Sequence, residues 1–92
     1  MTDAGGSYEV TFAPAAAREL GRLRPDDVAR LRRPILSRAF EPRPAGVQAV
    51  VGTRYVRLRV GELRVIYAVI EDERRVVIAR VAKRSERTYR RL

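Results

Sequence analysis

From Arg54 to Ile70 the chain reads RYVRLRVGELRVIYAVI. The stretch opens with strict alternation, Val56, Leu58 and Val60 on one side and Tyr55, Arg57 and Arg59 on the other. That period of two belongs to a strand with one dry face and one wet face. It turns at Gly61-Glu62 and then runs apolar from Val65 to Ile70. Such a run suits a strand covered on both faces; periodicity alone also allows a helix, and the Val, Ile and Tyr content favours the strand. The expected unit is a hairpin. One strand displays a row of arginines, its partner is buried, and Arg64 sits where the second strand leaves the turn.

Working outward, Val47–Val51 is a short strand candidate, and Phe40–Gly46, with two prolines and a glycine, is a connection. Further back, Tyr8, Val10 and Phe12 alternate with Glu9 and Thr11, which predicts a first strand. After Pro14, residues Ala16, Ala17, Leu20 and Leu23 form a helical stripe with Arg18, Glu19 and Arg22 outside it. A second helix is expected from Pro25, with Asp26 and Asp27 favoured in its first turn by the helix dipole. Val28, Leu31, Ile35 and Ala39 continue its stripe. Pro34 predicts either a kink or an end near Arg33. Beyond Ile70, EDERR reads as a charged turn and Val76–Ala82 as a strand interrupted by Arg80. Met1–Ser7 reads as a frayed start and KRSERTYRRL as a basic tail with at most a helical turn.

The expected fold class is α+β: an N-terminal strand, a two-helix hairpin on one face of a largely antiparallel 4–5-stranded sheet, and a basic C-terminal tail or short helix. Residues 1–92 are read as one domain. The sheet face without helices is expected to carry Arg57 and Arg59 as a binding surface.

Composition narrows the chemistry. The chain has no cysteine and no histidine, which removes thiolate sites, disulfides, and the commonest acid/base catalyst and metal ligand. The longest apolar run is too short to cross a bilayer, and no signal peptide is visible, so a cytoplasmic setting is expected. Residues 1–51 carry 8 basic and 6 acidic side chains, net +2, and residues 52–92 carry 12 and 5, net +7, within a total of +9. The excess sits with the central hairpin, which points to a polyanionic partner, nucleic acid or acidic protein.

These residues resemble the RelE/ParE superfamily of bacterial toxins. The likeness rests on the strand-helix-helix opening, on the basic strand, Gly turn and Arg-x-x-Tyr of LRVIY (Arg64, Tyr67), and on the ending VAKRSERTY. The resemblance implies the toxin of a type II toxin–antitoxin system, a ribosome-dependent endoribonuclease that cuts mRNA in the A site. Cleavage would proceed by attack of the 2′-hydroxyl, with no metal or other cofactor. By motif position it implies Arg57, Arg59, Arg64, Arg84 and Tyr89 as catalytic residues, with Arg54, Tyr55, Lys83 and Arg87 in RNA binding. Family members often carry a lysine or glutamate base where this chain has arginine, which stays protonated; Glu62 is the nearby carboxylate. Partners implied are the ribosome with its mRNA and a cognate antitoxin, whose acidic or amphipathic segment docks on the helices and covers the arginine face in a hetero-oligomer. A ParE-like inhibitor of DNA gyrase and an inactive RNA- or antitoxin-binding relic are the alternatives.

Overall fold

The computed structural model describes residues 7–83; residues 1–6 and 84–92, which hold the expected frayed start but for Ser7 and the expected basic tail but for Lys83, lie outside the described residues, and Lys83 belongs to the last strand rather than to the tail. In chain order the elements are β1 (Glu9–Phe12), α1 (Pro14–Arg22), α2 (Pro25–Ser37), β2 (Gln48–Ala49), β3 (Tyr55–Val60), β4 (Leu63–Ile70), a 3₁₀ turn (Glu71–Glu73) and β5 (Arg75–Lys83). The five strands make one sheet in the order β1-β5-β4-β3-β2. All neighbours are antiparallel except β1, which runs parallel to β5 with Glu9 beside Arg75 and Phe12 beside Ile78. The fold is the α+β arrangement expected, with a mixed sheet.

Proline opens both helices at the first position, where a missing N–H costs nothing. The second helix runs unbroken through Pro34 to Ser37, so neither a break nor a restart at Pro34 occurs. Pro34 forfeits the hydrogen bond to the preceding turn, at about 3 kcal/mol. Leu31 and Ile35 bracket it at 0% and 2% exposure. Burying two such side chains, at roughly 1.5–3 kcal/mol each, offsets that loss. The expected strand over Val47–Val51 shortens to Gln48–Ala49, and beyond it the Val50 N–H donates to the Tyr55 carbonyl at 2.9 Å.

The hairpin register settles which side chains share a face. Val56 lies across from Tyr67, Leu58 from Val65 and Val60 from Leu63. Leu63, Val65 and Tyr67 are fully buried and form the core with Val76, Ile78, Leu31 and Ala16. Gly61 takes φ +60, the positive value that a type II′ two-residue loop requires at its first central position. At the far end of the sheet, the Tyr8 hydroxyl donates to Glu71 Oε1 at 2.6 Å and the Arg43 guanidinium pairs with the same carboxylate. This joins the start of β1, the connection after α2 and the β4–β5 turn.

Candidate nucleic-acid interface

On the face turned away from the helices, the same register puts Tyr55 across from Ala68, Arg57 from Ile66 and Arg59 from Arg64. Arg57 and Arg59 are two residues apart and so project on one side of β3. Arg59 and Arg64 face each other directly across the strands. Like charges so placed, with Cβ atoms about 4.5–5.5 Å apart, destabilise a sheet. Neither the Arg57 nor the Arg59 side chain has a hydrogen-bond or ion-pair partner among the described residues. Tyr55 is 40% exposed at the end of this row, and exposed Arg54 precedes it. Thr53 sets the entry to the strand: its Oγ1 donates to the Val50 carbonyl at 2.8 Å and accepts the Tyr55 N–H at 3.1 Å. The arrangement offers a concentrated, fork-shaped set of donors to a phosphate, with an aromatic ring beside it.

The remaining candidates divide. Lys83 lies across from the core residue Leu63 and so points to the helix side, where its Nζ bonds Asp27 Oδ2 at 3.2 Å. Asp27 is only 5% exposed and also holds Arg30 at 3.4 Å. The structure therefore does not bring Lys83 to the arginine row. Arg84, Arg87 and Tyr89 lie outside the described residues. Glu62 is exposed in the turn beside Arg64.

Sequence reading put Glu19 on the solvent side of α1, and the structure brings it to β5. Past Phe12 the strand β1 no longer covers the edge of β5. There Glu19 Oε1 accepts the Val81 N–H at 2.8 Å, while Oε2 accepts from Arg80 Nε and Nη2 at 2.9 and 2.6 Å. A helix carboxylate replaces the missing strand carbonyl. Burial opposes ionisation of Glu19, but the Arg80 guanidinium and the Val81 N–H outweigh it and hold its carboxyl below the usual range. Glu71 is likewise held low, first by the Tyr8 hydroxyl and then by Arg43.

Both carboxyls titrate lower in the folded chain than in the unfolded one, so the unfolded state binds more protons as acid is added. Their stabilisation is complete above the ordinary Glu value of about 4.3 and is lost as pH falls through their depressed folded values. A Glu19→Gln, Glu71→Gln double variant is expected to show a flatter fall in Tm between about pH 5 and 3 than the parent. Parallel Tm-against-pH curves for the two chains would show that other groups govern acid unfolding.

No protein-family model and no curated protein matches the chain. Solved structures do. The toxin–antitoxin complex RelBE2 from Mycobacterium tuberculosis matches with a TM-score of 0.77 at 26% identity, covering 92% of this chain and 100% of that one. The chain has the RelE toxin fold. The archaeal RelE–RelB complex from Pyrococcus horikoshii superposes at a TM-score of 0.75 and 24% identity, over 87% of this chain and 98% of that one. The isolated RelE toxin of Escherichia coli reaches 0.78 at 18% identity, over 92% and 94%. In this RelE fold the helix pair and the arginine row occupy opposite faces of the sheet. Among the described residues no helix is long and apolar enough to cross a membrane.

Proposed function

We propose that this chain is the toxin of a type II toxin–antitoxin pair and that it cleaves mRNA in the ribosomal A site, in the cytoplasm. The observation that carries the reading is the direct pairing of Arg59 with Arg64 across the sheet, with Arg57 one step along the same face. Side chains of one charge set opposite each other on neighbouring strands repel, and an anion bound between them turns that arrangement into a favourable one. In the proposed step the substrate's 2′-oxygen bonds to the adjacent phosphorus, and the bond from phosphorus to the 5′-oxygen breaks. The guanidinium groups neutralise the five-coordinate phosphorane, whose charge exceeds that of the ground state. Arginine cannot take the 2′-proton; water or a phosphate oxygen accepts it, and the leaving 5′-oxygen is protonated in turn. Alignment by the ribosome contributes the in-line geometry. Tyr55 stacks on a neighbouring base, and Arg84 and Tyr89 complete the site. A cognate antitoxin neutralises the toxin.

Induced expression in growing bacteria tests this. Growth arrest with mRNA ends mapped inside translated codons is the expected result. Intact mRNA together with inhibited gyrase supercoiling would replace the reading with the gyrase-inhibitor one.

A further inference from the structure

Among the described carboxylates Asp27 alone is buried. It stands in the first turn of α2. Its Oδ2 accepts from Lys83 Nζ at 3.2 Å and its Oδ1 from Arg30 Nη1 at 3.4 Å. Lys83 ends β5 and lies across from Leu63, the first residue of β4. Arg30 Nη2 comes within 3.7 Å of where a Cβ on Gly61 would stand, so this side chain lies against the β3–β4 turn. One carboxylate thus ties the start of α2 to the turn before β4 and to the strand end beside it.

Burying an ion pair loses the hydration of both charges, and an apolar pair of similar size would serve a core as well. What the ion pair adds is geometry, because it is satisfied in one arrangement only. The geometry held here is that of the Val60–Leu63 rung, which adjoins the Arg59–Arg64 pair. Those two arginines repel each other. They lie one rung from a two-residue turn, where the hairpin has little further ladder to resist splaying. We infer that Asp27 is a positioning residue of the arginine site: through Lys83 and Arg30 it holds the turn end of the hairpin, so that Arg59 and Arg64 keep the separation a bound phosphate bridges. It acts from the helix side of the sheet, as a support to groups on the other face. That the phosphate is the scissile one of mRNA rests on the ribonuclease reading above; the placing of the two arginines does not.

Asp27→Asn keeps the shape, removes the charge and leaves Lys83 and Arg30 without this counter-charge. The control is Glu71→Gln, which loosens the tie among three segments at the opposite end of the same sheet. Two measurements read the result at a temperature where every variant is folded. The first is the ¹H–¹⁵N spectrum of the arginine Nε–H groups with inorganic phosphate as the probe, Arg59 and Arg64 being assigned from Arg59→Lys and Arg64→Lys chains. The second is cleavage on programmed ribosomes. Asp27→Asn is expected to move both arginine signals and weaken phosphate binding at least about threefold. It should lower kcat about tenfold with KM within about twofold, as misplacement of a transition-state donor does. Glu71→Gln should move neither signal and cleave as the parent does. Lys83→Met should reproduce the effect, and Asp27→Asn should add less to it than it does alone, because the two act as a unit. Should Asp27→Asn lower Tm too far, Arg30→Met, at a side chain 61% exposed, breaks one arm of the support and is read in the same way. A parent chain that cuts nothing overturns the ribonuclease reading alone, and the Nε–H signals with phosphate binding still decide the inference. Unmoved Arg59 and Arg64 signals in Asp27→Asn would overturn it. So would equal losses in Asp27→Asn and Glu71→Gln, or a raised KM at unchanged kcat.

Discussion

Arg64→Ala is expected to lower the rate of A-site mRNA cleavage by about 10²–10³-fold, the usual effect of removing one preorganised donor from a developing negative charge. Arg64 faces Arg59 across the hairpin, and the proposed function places its guanidinium among those that surround the reacting phosphate. Arg64→Lys keeps the charge and loses the planar fork, and should recover only part of the rate. Single-turnover cleavage on programmed ribosomes reads the loss directly. The thermal melt of the same preparations shows whether the variants are folded. A fully active Arg64→Ala chain would remove the arginine row from the chemistry. Arg59→Glu makes the complementary point: it turns a repulsive cross-strand pair into an attractive one, worth about 0.2–1 kcal/mol. It should raise stability while it abolishes RNA binding. A site that is stabilised when its charge is reversed is one shaped for an anionic ligand.

Tyr67→Ala is expected to cost about 3–5 kcal/mol, the range for truncating a large buried aromatic side chain. A chain of this length has a total stability of roughly 5–14 kcal/mol, so much of the population unfolds at modest temperature. Tyr67 is fully buried at the centre of β4, and its hydroxyl donates to the Pro42 carbonyl at 2.5 Å. The ring fills the core beneath the helices. The hydroxyl ties the connection after α2 to the sheet. Tyr67→Phe separates the two contributions, because it keeps the ring and leaves the Pro42 carbonyl without its donor, at about 1–3 kcal/mol. Each kcal/mol corresponds to about 4–8 °C in Tm for a domain of this size. Urea titration of the three chains measures both steps. A Tyr67→Phe chain as stable as the parent would show that the tie to Pro42 contributes nothing.

The contrast between those two residues follows how each is encoded. Arg57, Arg59 and Arg64 could be placed on a strand face from alternation and one turn glycine, because side-chain direction in a hairpin depends only on parity and loop length. Tyr67 was legible as core from its apolar neighbours, yet its bond to Pro42 was not, since 25 residues separate them. Lys83 shows the same limit. Sequence grouped it with the basic residues around it, and the strand register turned it toward Asp27, 56 positions away.

The sequence by itself determined the elements that depend on near neighbours: the arginine-bearing hairpin, the two proline-opened helices, the charged turn and the sign of the field. Only the tertiary structure decided the parallel seat of β1 beside β5, the capture of Val81 and Arg80 by Glu19, the continuity of α2 through Pro34 and the hold of Asp27 on the end of β5. Local periodicity is written in residues a few places apart, where steric and hydrogen-bonding preferences act. These other features depend on which distant surfaces meet once the core closes, and burial at Leu31, Ile35 and Tyr67 sets that.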